Sequence, residues 1–194
     1  YFVNPVAAAD NLVVTEIMYN PADPTAAEIA AGHTNNDDFE YIELQNVSGG
    51  LVELRGVTFK DGVDFAFPAV TLDPGDFVLV VSNQDAFEFR YGTGHAGQPY
   101  VILGEFENLT NLSNAGEEIE LESPYVGEFA DFDYKDGWAG RTDGEGYSLV
   151  IRDTGQDAAL WDAAAGWRTS WQYGGNPGAA DAGYDPASVV VNEV

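Results

Sequence analysis

The feature that most constrains this chain is its punctuation: short runs of alternating apolar and polar residues are cut by Gly, Pro, Asn or Asp about every ten residues, the spacing of strands and turns in sandwiches and barrels. Residues 11–19 read NLVVTEIMY, in which Val13, Thr15, Ile17 and Tyr19 alternate with Val14, Glu16 and Met18. That is the period-two signature of a strand, and Asn20-Pro21 stops it. Residues 39–46, FEYIELQN, set Phe39, Tyr41 and Glu43 on one face and Glu40, Ile42 and Leu44 on the other. Val47-Ser48-Gly49-Gly50 turns this strand back.

The same logic continues along the chain. Short strands are expected at 51–54, 57–60 and 65–67, split by Gly56 and Asp61-Gly62. A Pro74-Gly75 turn leads into FVLVVS at 77–82, a continuous apolar run that should be buried on both faces. NQDAFEFRY at 83–91 reads as a short helix, with Asn83 as its cap and Phe87 and Tyr91 one turn apart. Further strands are expected at 100–103, 118–122, 129–134 and 147–152, all antiparallel by pattern. Residues 20–38 form an insertion at one rim, with a short Ala-rich helical turn and then the acidic loop HTNNDD.

Beyond residue 152 the alternation fades into a Gly-, Ala-, Asp- and Trp-rich stretch, expected to be a covering loop anchored by Trp161, Trp167 and Trp171. VVVNEV at 189–194 echoes VVTEI at 13–17 and suggests the first strand of a second repeat. The expected organisation is therefore a linker over 1–11, a β-sandwich over 12–183, and a linker with that strand over 184–194.

With 194 residues, 45% of them apolar, the chain is large enough to bury a core without staples. It has no cysteine, so disulfides and thiolate metal sites are excluded. Thirty-three acids against seven bases give a net charge of −26, and Lys60 and Lys135 are its only lysines. Such a field repels phosphate backbones, so nucleic acid is not an expected partner. No apolar stretch reaches the roughly 18–20 residues that cross a bilayer, and residues 1–9 lack the pattern of a signal peptide. The acidity suits a saline or calcium-bearing extracellular setting.

Seven segments in a fixed order carry a resemblance: VVTEIMYNP (13–21), DFEYIELQN (38–46), LVELRGVTFKDG (51–62), FPAVTLDPGDFVLVVSN (67–83), LSNAGEEIELES (112–123), FDYKDGWAGRTDGEGYSLV (132–150) and GGNPG (174–178). Together they resemble the lamin tail domain of the bacterial extracellular kind. The resemblance implies an all-β, immunoglobulin-like antiparallel β-sandwich, here with rim insertions and short helices. It also implies a module of large secreted or cell-surface proteins of aquatic bacteria, set beside other domains or copies of itself, without catalytic machinery. The insertion at 22–37 and the Trp-rich segment 153–173 depart from the family pattern.

Catalytic constellations are not apparent. Without cysteine, and with only His33 and His95 in polar loops, no nucleophile has an evident base, and no GxSxG elbow occurs. Asp131, Asp133 and Asp136 precede Gly137 in the wrong register for a calcium-binding EF-hand loop, so FADFDYKDGW reads as a strand and its turn. The metal candidates are Asp37, Asp38 and Glu40 with Glu16 or Asn20, since a rim loop between two strands can converge oxygens on calcium. No metal is expected to be required for folding. Trp138, Trp167 and Trp171 are the candidates for a sugar-stacking platform. The expected role is a non-catalytic structural or adhesive module whose partners are neighbouring domains or copies; the alternative is a calcium-assisted carbohydrate-binding module that takes glycans.

Overall fold

The computed structural model describes residues 5–183. The elements are β1 (Leu12–Met18), α1 (Ala26–Ala31), β2 (Tyr41–Asn46), β3 (Val52–Glu53), β4 (Thr58–Asp61), β5 (Phe65–Ala66), β6 (Thr71–Leu72) and β7 (Phe77–Val81). They continue with α2 (Gln84–Tyr91), β8 (Gly94–His95), β9 (Gln98–Pro99), β10 (Ile102–Glu105), β11 (Gly116–Ser123), β12 (Gly127–Lys135), β13 (Leu149–Ile151) and β14 (Trp167–Thr169). One sheet has six strands in the order β10-β7-β2-β1-β13-β14 and another has four, β12-β11-β4-β5; β3-β6 and β8-β9 are small satellite pairs.

The main core lies between the two large sheets. Leu12, Ile17, Ile42, Leu44, Val78, Val80, Leu149 and Ile151 from the first meet Phe59, Phe65, Ile119, Leu121, Phe132 and Tyr134 from the second. A second cluster of Met18, Tyr41, Leu79, Val81 and Phe87 lies on the outer face of the six-stranded sheet, closed by Tyr91, Tyr100 and Ile102. The FVLVVS strand is accordingly buried on both faces, as its unbroken apolar run predicts. The four-stranded sheet keeps one wet face, and the alternating burial of β12 follows its alternating sequence.

A bulge decides what β1 presents. Val14 pairs with Leu44, but the register then shifts, so Glu16 rather than Thr15 stands opposite Glu43 and Ile17 stands opposite Ile42. An unbroken ladder would have aimed Glu16 at the inter-sheet core, because a one-residue slip exchanges the two faces of a strand. The strict alternation read from residues 13–19 is thus corrected at Thr15.

Three other expectations are adjusted. The antiparallel pattern fails at one edge, where β10 runs parallel to β7. A parallel neighbour needs a crossover, and α2 supplies it. Asn83 caps that helix by accepting from the Ala86 amide at 3.1 Å. Residues 5–11 are not a free linker: Ala7 is buried, Val6 bridges to Glu53, and the Asn11 side chain closes a turn on Ala8 N and Val6 O, each at 2.9 Å. The covering segment contributes a strand, since β14 pairs with β13, and Trp161 and Trp167 anchor it. Trp171 does not share that burial; it is 55% exposed. The expected linker at 184–188 and the strand at 189–194 lie outside the described residues.

Candidate functional site

Two buried acids, one in β1 and one in β2, anchor an extensive polar network of the domain. Glu16 on β1 and Glu43 on β2 are both buried on the outer face of the six-stranded sheet. Glu16 Oε1 accepts from the Tyr41 hydroxyl, from Ser148 Oγ at 2.5 Å and from the Asn176 amide at 3.0 Å. Glu43 Oε1 accepts from Thr15 Oγ1 at 2.6 Å, and its Oε2 accepts from the Gly178 amide at 2.7 Å. The bulge residue therefore serves Glu43, while Tyr41 of β2, Ser148 just before β13 and the GGNPG loop serve Glu16. Burial pushes the Glu16 carboxyl up to about 7, against the lowering effect of its hydrogen bonds. Burial and the neighbouring Glu16 also push Glu43 well above the usual carboxylate range.

The pair clasps the segment GGNPG. Gly175 lies at φ 77°, and a Cβ there would collide with the Glu16 carboxylate and the Tyr41 hydroxyl, so only glycine lets the backbone come this close. Asn176 ties the following turn by donating to the carbonyls of Ala179 at 3.3 Å and Ala180 at 2.9 Å. The segment is held again at Asp181, whose side chain accepts from Arg168 at 2.8 Å, the Trp171 amide at 2.7 Å and the Gly183 amide at 2.8 Å.

Above the clasp the segment forms one wall of an open cleft of about 270 Å³, with Tyr91, Tyr100 and Tyr173 among its lining residues. Arg90 lines it too, fixed by a forked pair with Glu28 at 2.7 and 3.0 Å and stacked 3.3 Å over the Phe39 ring. Glu28 belongs to α1, so this pair bolts the rim insertion to α2. The Arg90 hydrogen bonds hold the Glu28 carboxyl down at about 2.

The residues singled out from the sequence are not brought together. Asp37 and Asp38 sit half-buried in a 3-10 turn at the rim. Glu40, fully buried with the parity of Ile42 and Leu44, accepts from the Leu112 amide at 2.9 Å and faces the opposite side of the sheet from Glu16. Asn20 is tied to Asp143 at 2.6 Å and to Asn36 at 3.1 Å. Among the described residues no group of three or more His, Asp or Glu side chains is set to hold a metal ion. The tryptophan platform does not assemble either. Trp167 is buried, stacks on Phe132 at 5.4 Å and donates to the Trp161 carbonyl at 2.7 Å; Trp138 packs half-buried against the main core; only Trp171 is largely exposed.

Sequence reasoning missed Glu43, Ser148, Asn176 and Gly178, and missed the aromatic cleft. One signal was available: Glu16 stands among Val14, Ile17 and Met18, and Glu43 among Tyr41, Ile42 and Leu44, so each acid sits in a largely apolar strand. Such an acid must find partners inside the fold.

Among the described residues no helix is long and apolar enough to cross a membrane. No curated protein matches the chain. A family model described as Lamin Tail Domain matches residues 5–175, a span that takes in the packed N-terminal segment, both sheets and the start of GGNPG. With its antiparallel sheets and immunoglobulin-like architecture, the chain belongs to the lamin tail domain family.

Proposed function

We propose that this domain is a non-catalytic structural or adhesive module of a larger secreted or cell-surface protein, working in saline surroundings. The observation that carries the reading is the direction of its buried acids. A hydrolase turns its paired carboxylates toward a substrate groove, whereas Glu16 and Glu43 close on the amides of Asn176 and Gly178. The chemistry that could act on a ligand instead fastens the chain to itself. The saline setting is supported by the wet face of the four-stranded sheet. There Glu118 is pushed up by Asp131, and Glu120 by partial burial together with Glu128 and Asp131. Dissolved salt screens such repulsion.

A panel of glycans, esters, peptides and nucleic acids tests the non-catalytic reading, with no turnover expected. Turnover that disappears in Glu16→Gln or Glu43→Gln would overturn it. Melting temperature should rise with sodium chloride, and a salt-independent melt would remove the support for a saline habitat. Glycan binding is the second reading, favoured by the tyrosine-lined cleft rather than by the tryptophans. Melts with calcium and with chelator, at matched ionic strength, decide whether calcium takes part, and equal melting temperatures would remove it.

A further inference from the structure

The cleft over the clasp departs from the surface around it. In a chain with 33 acids, none of the described residues lining this cleft is an Asp or Glu. Its one permanent cation, Arg90, is already matched by Glu28, with Nε and both guanidinium arms engaged by Glu28 and the Ala22 carbonyl. The described lining therefore carries no unmatched side-chain charge, and the nearest acids, Glu16 and Glu43, lie buried beneath it and are engaged by the clasp. A cationic ligand finds no carboxylate in it, and an anionic ligand is repelled by the net charge of −26.

What the cleft does offer is ring faces and polar edges. Tyr173 is 65% exposed, yet its position is fixed. A Cβ on Gly146 would overlap its ring, and Tyr147 meets it edge-on at 5.7 Å while carrying Arg141 at 3.6 Å on its own face. Tyr100 packs so closely on Gly178 that a Cβ there would stand 2.8 Å from the ring. These are rigid aromatic surfaces, which bind with little loss of side-chain freedom. Beside them, Gln172 donates from its Nε2 to Asn176 Oδ1 at 3.3 Å, and among the described residues its Oε1 accepts no hydrogen bond. His95 also lines the cleft and brings an imidazole that can hydrogen-bond a ligand. At about 270 Å³ the space falls just below the volume of drug-sized sites; such sites run to about 300–1,000 Å³.

A small, uncharged molecule with an apolar face and a hydroxyl-bearing edge fits this combination. We propose that the cleft binds a neutral pyranose, alone or as one residue of a glycan, stacked on Tyr173 and hydrogen-bonded by Gln172 and His95. The proposal gives a chemical target to the adhesive part of the reading above. The binding proposed uses no metal, as no described carboxylate lines the cleft.

The test is saturation-transfer NMR on the full chain with methyl glycosides of glucose, galactose, mannose and N-acetylglucosamine, with choline and glucuronate as the cationic and anionic comparators. The expected result is saturation of at least one neutral glycoside, with amide shifts concentrated at Gly174, Gly175 and Asn176. Tyr173→Ala, at an exposed position that leaves the core intact, should weaken binding by about tenfold or more, a loss of about 1.4 kcal/mol. Tyr173→Trp should retain it. Silence from every neutral glycoside, preference for choline or glucuronate, or full affinity in Tyr173→Ala would overturn the proposal. None of those results would touch the non-catalytic reading, which falls only to turnover.

Discussion

Glu16 and Glu43 stand opposite one another across the β1–β2 ladder, on the same buried face, and each holds a backbone amide of the segment that crosses above them. Like charges directly opposed across strands destabilise a sheet. The pair is tolerable because both carboxyls are pushed toward their neutral forms, Glu16 to about 7 and Glu43 further, by burial before any other cause.

That arrangement fixes the sign of a pH dependence. Below about 4.5 both folded and unfolded chains are protonated at these acids; as pH rises toward 7, the folded chain keeps a proton that the unfolded chain releases, so stability falls. Glu28 acts in the opposite sense at low pH. Its stabilisation, present above its usual range, is lost as pH drops toward 2. Stability should therefore peak in mildly acidic solution and decline between roughly pH 5 and pH 8. Urea denaturation across that interval is expected to show a shallower decline in Glu16→Gln. An unchanged slope would mean that the clasp does not titrate.

Much of the scaffold was legible because its signals are local. FEYIELQN alternates with period two, FVLVVS is apolar on both faces, and Asn83 announces a helix that begins at the next residue. The clasp was not legible, because its partners are distant in sequence: Ser148 lies 132 residues from Glu16, and Asn176 lies 160 residues away. The bulge at Thr15 was hidden for a related reason, since register exists only between two strands. The tryptophans misled because residue type alone does not tell an anchor from a platform. Trp167 stacks inside on Phe132 while Trp171 remains largely outside.

Gly175→Ala should loosen the clasp. The new methyl group would meet the Glu16 carboxylate and the Tyr41 hydroxyl at a backbone φ of 77°. A loss of about 2–4 kcal/mol is expected, because steric overlap adds to backbone strain. Hydrogen exchange should speed up at Asn176 and Gly178 well before the amides of β2. Uniform acceleration along the whole chain would show that the segment is not a separable unit.

The two tryptophans should separate cleanly. Trp167→Ala removes a buried ring, with an expected cost of about 3–5 kcal/mol. Trp171→Ala, at a position 55% exposed, should stay within about 1 kcal/mol of the parent. Chemical denaturation of the two variants side by side measures both, and similar losses would contradict the assignment of one as anchor and the other as surface.

Glu40 offers the sharpest test of buried charge. It is fully buried, its Oε2 accepts from the Leu112 amide at 2.9 Å, and among the described residues its Oε1 has no hydrogen-bond partner. Burial, reinforced by Asp37, Glu117 and Asp38, raises its carboxyl to about 9. At neutral pH the folded domain thus carries Glu40 protonated, while the unfolded chain carries it ionised. The stabilisation is complete below about 4.5 and is lost progressively as pH climbs toward 9. Glu40→Gln fixes the neutral form at every pH and keeps an oxygen for the Leu112 amide. Where the parent's neutral O–H already lacks an acceptor among the described residues, the glutamine's NH₂ adds one further unpaired donor, at a cost of about 1–3 kcal/mol. Near pH 4 the variant should therefore be slightly less stable than its parent. Near pH 8 the order should reverse, because the parent has lost on the order of a few kcal/mol that the glutamine retains. Stability measured by urea denaturation at both pH values checks the crossing. A gap of the same size and sign at the two would show that Glu40 does not hold its proton in the folded domain.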